Sequence, residues 1–309
     1  MGGKVGLVLS ASDTSFPYKS ASAMILKFYT DNYLSYEFSY LVGQKYVTDA
    51  FRQDGVAKCK AVISVFADRI KANKWLSEEG KKNALEKLNA FYINNYNSIN
   101  IYPWWLMKPC SDPSYNQAIN YAIMEIVAHE ITHGFDSNGY RFNKDGDPVT
   151  LFTNPADAAN FDELGKKLVA RFNELEVMPK ELPGVMSKGE YCLGENIADL
   201  GGFEIAFEAY TRYLKDSGFN GDELLKQQQY FFYAFTEQNR AKYGPNYVKL
   251  MQEGRPATAL TPAISADTHS LPRERVNGII RNVDIWYDLF GIKPGDALYL
   301  APADRVHIW

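Results

Sequence analysis

The sequence predicts a mainly α fold with a small β element, an α+β arrangement, and three observations carry that expectation. Apolar residues recur at helical spacing along most of the chain, capping residues and glycines punctuate those stretches, and one short segment has the aromatic and β-branched character of strands. With 309 residues the chain is long enough to bury a core without disulfide staples. From about 20 to 90 the pattern is helical: Met24, Leu26, Phe28 and Tyr29 begin it, Val62, Val65, Phe66 and Ile70 continue it, and Leu76-Ser77-Glu78-Glu79 reads as a helix start. Residues 91–93 and 98–102, parted by Asn94-Asn95-Tyr96-Asn97, read as a hairpin. Asp112-Pro113 then reads as the cap and first position of a helix running to Gly134, followed by the turn residues Asn138-Gly139 and Asp145-Gly146-Asp147-Pro148. Further helices are expected at 155–175, 194–215, 222–241 and 272–290.

Composition narrows the function classes. Apolar content of 46% and charged content of 23% are those of a folded, soluble protein. A net charge of −4 provides no cationic field for a phosphate backbone, which excludes nucleic acid as the expected partner. Three cysteines, Cys59, Cys110 and Cys192, lack C-x-x-C spacing and read as ordinary thiols. No apolar run approaches the roughly 20 residues of a membrane span, and Val5 to Leu9 is too short for a signal core, so neither a transmembrane segment nor a signal peptide is expected within the chain.

The chemistry concentrates in a few residues. Two of the four histidines stand four apart, in His129-Glu130-Ile131-Thr132-His133, inside a strongly helical stretch. That spacing puts both imidazoles on one helix face, where they can converge on one tetrahedral ion, with Glu130 about 100° around the helix, beside it. Ile119, Ile123, Ile126, Val127 and Ile131 form an apolar stripe that predicts a buried helix. A hydrolytic zinc normally takes three protein ligands and one water, so a third ligand must come from elsewhere. Glu195 and Asp199, four apart in Gly194-Glu195-Asn196-Ile197-Ala198-Asp199, share a helix face; Glu195 could complete the site and Asp199 could accept the free ring N–H of a ligating histidine. Gly201-Gly202 inside that helix costs about 1 kcal/mol each relative to Ala and points to close helix packing. His269 and Arg275 fit the tasks of donating to an oxyanion and holding a substrate backbone, while His307 reads as structural or solvated.

With these motifs in order, His129 to Asp136, Gly194 to Asp199, Asp267 to Ser270 with Arg275, and Trp309, the chain resembles the neprilysin-like zinc endopeptidases, a family that includes the endothelin-converting enzymes and the bacterial endopeptidase O type. The resemblance implies a thermolysin-like zinc metallopeptidase catalytic domain over 89–309, preceded by a partial helical lobe over 1–88. It implies one zinc ion per chain held by His129, His133 and Glu195, with Glu130 as general base, Asp199 orienting a ligating histidine, His269 stabilising the transition state and Arg275 holding the substrate backbone. Asn89-Ala90-Phe91-Tyr92 is similar to the family's edge strand, where Asn89 and Ala90 would pair with an extended peptide. Peptide substrates with an apolar residue just after the cut are implied, and members of the family are often exported or membrane-anchored; the scarcity of cysteines is closer to the bacterial branch. Two departures stand beside the match: most of the family's N-terminal portion is missing, and Lys81 to Leu88 runs straight into Asn89 where relatives carry an intervening segment. The resemblance is therefore to a shortened member. A zinc aminopeptidase reading lacks the expected G-x-M-E-N anchor, and the remaining alternative is a remnant that binds zinc or peptide without turnover.

Overall fold

The computed structural model describes residues 35–88, 112–246, 248 and 268–309. Asn89, Ala90, Met24 to Tyr29 and the expected hairpin at 91–93 and 98–102 lie outside those residues. The helical start resolves into α1 (Ser35–Tyr46), α2 (Asp49–Ala72) and α3 (Glu78–Leu88). Thr48 caps α2, its Oγ1 accepting from the Phe51 N–H at 3.2 Å. Val62, Val65, Phe66 and Ile70 are all buried, as their spacing requires. Ser77 opens α3: its Oγ accepts from the Gly80 N–H, and its own N–H and hydroxyl donate to Asp157 at 2.7 and 2.6 Å, tying α3 to a later helix.

Helix α4 (Gln117–Thr132) begins later than the sequence suggested. Asp112 turns its carboxylate onto the Ser114 N–H and hydroxyl in a local turn, and Asn116 caps the helix by accepting from the Ala118 N–H at 2.9 Å. Its most buried side is also not the isoleucine stripe alone. Ala118, Ala122, Ala128 and Thr132 are buried, whereas Ile119, Ile123 and Ile126 are half-buried, because small residues let a neighbouring backbone come close. Two tight turns, His133–Phe135 and Gly139–Arg141, follow.

Helix α5 (Pro155–Asn173) is capped by Asn154, whose side-chain oxygen accepts from the Ala156 N–H at 3.0 Å, and has a proline in its first turn. A short antiparallel hairpin, β1 (Glu176–Met178) and β2 (Leu182–Met186), pairs Glu176 with Met186 and Met178 with Leu182. Pro179 and Pro183 disguised it in the sequence. Helices α6 (Leu193–Asp216) and α7 (Gly221–Gln238) match their expected spans closely. The expected helix at 272–290 is two, α8 (Pro272–Ile280) and α9 (Asp284–Phe290). Asn282 causes the break: it is fully buried, its amide donates to the Gly278 carbonyl at 2.7 Å, and its side-chain oxygen accepts from the Val306 N–H at 2.8 Å.

The central packing is α4 against α6, with α2, α5, α7 and α8 around that pair. One hydrophobic core runs from Val62 to Trp309, so the described residues on either side of 88/89 share it. Trp309 closes one end, edge-on to Phe66 and Phe135 and beside Trp75; Phe203 of α6 packs against Phe231, Phe232 and Phe235 of α7 at the other. No helix among the described residues is long and apolar enough to cross a membrane.

Gly202 is where the two central helices meet. A Cβ there would lie 2.7 Å from the His129 nitrogen and 2.9 Å from its Cα, both backbone atoms that cannot swing aside. Gly202→Ala should therefore cost about 1–3 kcal/mol, read as a lower melting temperature. Glu274 of α8 is fully buried with no side-chain hydrogen bond to its carboxylate, and burial pushes its carboxyl up to about 8. The folded state then holds a proton that the unfolded chain releases near pH 4.5, so this group erodes stability as pH rises towards 8. Glu274→Gln should melt close to wild type near pH 5 and several degrees above it at pH 8.

Candidate active site

Two helices and one extended segment deliver the site. Helix α4 brings His129 in its last turn and His133 just beyond it, α6 brings Glu195 and Asp199 from its first two turns, and Thr268 to Ser270 leads His269 in ahead of α8. Glu195 Oε2 lies 3.3 Å from His129 Nε2, 3.3 Å from His133 Nε2 and 3.0 Å from His269 Nε2. The ligand atoms of His129, Glu195 and His269 all fall within 4.8 Å of one another, and the His129 and His269 rings are nearly parallel. Thr268 steadies the other Glu195 oxygen with a hydroxyl bond of 3.0 Å, and the Ser270 hydroxyl donates to Asn196 at 2.7 Å.

The far side of each α4 imidazole is held by a carboxylate. His129 Nδ1 is 2.7 Å from Asp199 and His133 Nδ1 is 2.6 Å from Asp136. A ring that donates through Nδ1 presents the Nε2 lone pair inward, which is how a metal-binding histidine is oriented. Asp199 is 1% exposed and is also gripped by Arg275, whose Nε donates at 2.8 Å and whose Nη2 makes a second bond. Asp136 accepts the Asn138 and Gly139 N–H groups at 2.7 Å each. Glu130 is exposed, at the helix position after His129.

The electrostatics favour positive charge at the centre. Burial opposes protonation of His129, but Asp199 and Glu195 outweigh it and lift the imidazole to about 10; burial likewise opposes His133, and Asp136 and Glu195 lift it to about 9. Burial works against ionising Glu195, yet the three imidazoles hold its carboxyl far below the usual range. Asp199 is held low in the same manner by His129 and Arg275. Deeper in α4, Glu125 is buried, one oxygen reached by Gln238 at 3.5 Å and the other without a hydrogen bond; burial, reinforced by Asp199, pushes it up to about 8.

A divalent cation fits this donor set. Glu195 Oε2 is buried and faces three ring nitrogens without a well-directed hydrogen bond to any of them, an arrangement that a cation held by Glu195 and the His129 and His133 nitrogens would resolve. The structure thus brings together His129, His133, Glu195, Asp199, His269 and Arg275. Asp136 and Glu125 were missed in the sequence. Asp136 left a usable signal, an acid three residues after His133 and ahead of a turn; Glu125 left none, since an acid within a helix is ordinarily solvated. Asp199→Asn should remove the charged acceptor behind His129 and weaken zinc binding by roughly 10- to 100-fold, measured by competition with a chromophoric chelator.

Comparison with known proteins places these features in a family. A model described as Peptidase family M13 matches residues 89–306, and a second model of that family, for its N-terminal part, matches 24–96. The chain is 30% identical to human neprilysin over 250 residues, covering 78% of this chain and 30% of neprilysin. It is 24% identical to the neutral endopeptidase of Lactococcus lactis subsp. cremoris, covering 91% of this chain and 50% of that protein. Among solved structures, the zinc metalloprotease ZMP1 of Mycobacterium tuberculosis in complex with an inhibitor superposes with a TM-score of 0.76 at 24% identity, over 91% of this chain and 50% of that one. PepO from Lactobacillus rhamnosis gives 0.67 at 22% identity, over 88% and 49%. The chain spans between 30% and 50% of the length of these relatives. With a family model matched across most of its length, the chain belongs to peptidase family M13.

Proposed function

We propose that this chain is the catalytic portion of a zinc-dependent endopeptidase, cutting internal bonds of peptides with one zinc ion per chain. The observation that carries the reading is the meeting of three imidazole nitrogens at a single buried Glu195 oxygen, with Asp199 and Asp136 behind the two histidines of α4. His129, His133 and Glu195 would hold the ion, whose chemistry when bound is to polarise the scissile carbonyl and acidify water. Glu130 accepts the proton of the attacking water at its carboxylate and passes it to the leaving nitrogen. His269, 41% exposed beside Glu195, donates from its ring to the developing oxyanion. Asp199 holds the His129 ring and the Arg275 guanidinium at once, so the cation that would bind the substrate backbone is fixed relative to the metal site. Asn89 and Ala90 would supply the strand edge along which an extended peptide lies.

A second reading, a chain that binds zinc and peptide without turnover, is favoured by the exposure of Glu130 and His269, since oxyanion and proton-transfer groups gain strength where water is excluded. Metal analysis by mass spectrometry with a quenched peptide assay separates the two. The endopeptidase reading expects near one zinc per chain, internal cleavage products, and a drop of about 10²- to 10⁴-fold in kcat for Glu130→Gln. Full zinc occupancy without hydrolysis establishes the second reading, and stepwise trimming from the N-terminus would contradict internal cutting.

A further inference from the structure

We propose that Lys87 is a positioning residue for the histidine site, acting on His133 through the Gly139 segment and Asp136; the inference rests on the metal-binding reading above. The sequence offers Lys81, Lys82 and Lys87 on one short amphipathic helix, and nothing distinguishes them there. The fold does. Lys82 is mostly exposed and Lys81, half-buried, pairs with the exposed Glu78, whereas Lys87 is buried, with 1% exposure, at the end of α3.

Its ammonium donates to the Gly139 carbonyl at 2.6 Å and to the Phe142 carbonyl at 2.7 Å, and it lies 5.7 Å from the centre of the Phe135 ring. Those carbonyls belong to the stretch that folds back over His133. Gly139 is pressed so closely against it that a Cβ would stand 1.9 Å from the His133 carbonyl oxygen. The same residue gives its N–H to Asp136 Oδ1 at 2.7 Å, and Asp136 Oδ2 reaches His133 Nδ1 at 2.6 Å. An unbroken path therefore runs from the ammonium through Gly139 and Asp136 to the imidazole.

The chemistry of burial argues that this path has a use. Taking an ammonium out of water to meet backbone carbonyls is expensive, and an apolar side chain would fill the space at less cost. What the amino group adds is direction: it draws two carbonyls of one loop to one point, which fixes the loop and with it the carboxylate behind His133. His129 needs no such brace, because its own carboxylate, Asp199, stands within α6 and is gripped by Arg275.

The test is the zinc affinity of the full chain by chelator competition. Lys87→Met should weaken it by roughly 10- to 100-fold, the usual effect of losing an outer-shell partner; Lys87→Gln, which retains an amide donor, should lose less. In an Asp136→Asn background, adding Lys87→Met should change affinity by less than about twofold, since the path is already cut. Wild-type affinity in both single variants, or a full further loss in the Asp136→Asn background, overturns the proposal. A wild-type chain that takes up no zinc overturns the metal reading itself. Should neither variant fold, hydrogen exchange of the wild-type chain decides: slow exchange at the Asn138 and Gly139 amides in the zinc-free protein supports a loop braced in advance, and fast exchange that slows only when zinc is added overturns it.

Discussion

The backbone contact between α4 and α6 at His129 and Gly202 is the constraint on which the site depends. Without a Cβ at Gly202, the first turns of α6 reach the last turn of α4, and Glu195 and Asp199 arrive together at the two nitrogens of His129. Gly201 serves the same approach against Thr132, with the Trp309 ring 3.4 Å from the position its Cβ would take. The conformational cost of two helical glycines is about 1 kcal/mol each, small beside the apolar area that a close helix pair buries. A larger residue at either position would separate the helices and pull the donors apart.

That proximity creates an electrostatic problem, because Glu125, Asp199 and Glu195 all crowd one partly dry region. Arg275 offsets Asp199, the imidazoles offset Glu195, and Glu125 is left with its carboxyl pushed towards the protonated form. Buried charge of one sign is tolerable only when paired or when it holds a cation. The balance here favours added positive charge at the point where the three imidazoles meet, and the lifted histidines express the same preference with protons. A divalent ion would occupy that point in their place.

The relatives are two to three times longer than this chain, yet its described residues form a continuous core and bring His129, His133, Glu195 and His269 together. The two faces of the site differ accordingly. His129 and Asp199 are sealed between helices, whereas Glu130 and His269 look outward. Holding a metal depends on the sealed side; catalysis also depends on what covers the exposed side.

The amino-acid sequence by itself determined what depends on short range. The i, i+4 pairs His129/His133 and Glu195/Asp199 place their side chains on one helix face wherever the helix sits, and the capped, periodic helices α5, α6 and α7 follow from local rules. The late start of α4 is also local chemistry: Asp112 turns its carboxylate onto Ser114 in a separate turn, and Asn116 caps the helix. Only the tertiary structure decided the rest. Asn282 breaks its helix because Val306, far along the chain, supplies a partner; the hairpin at 176–186 forms despite its prolines; and one lysine among three goes inside. Burial and long-range pairing belong to elements meeting in space, so a residue such as Lys87, Glu125 or Asp136 acquires its role from neighbours that no local pattern names.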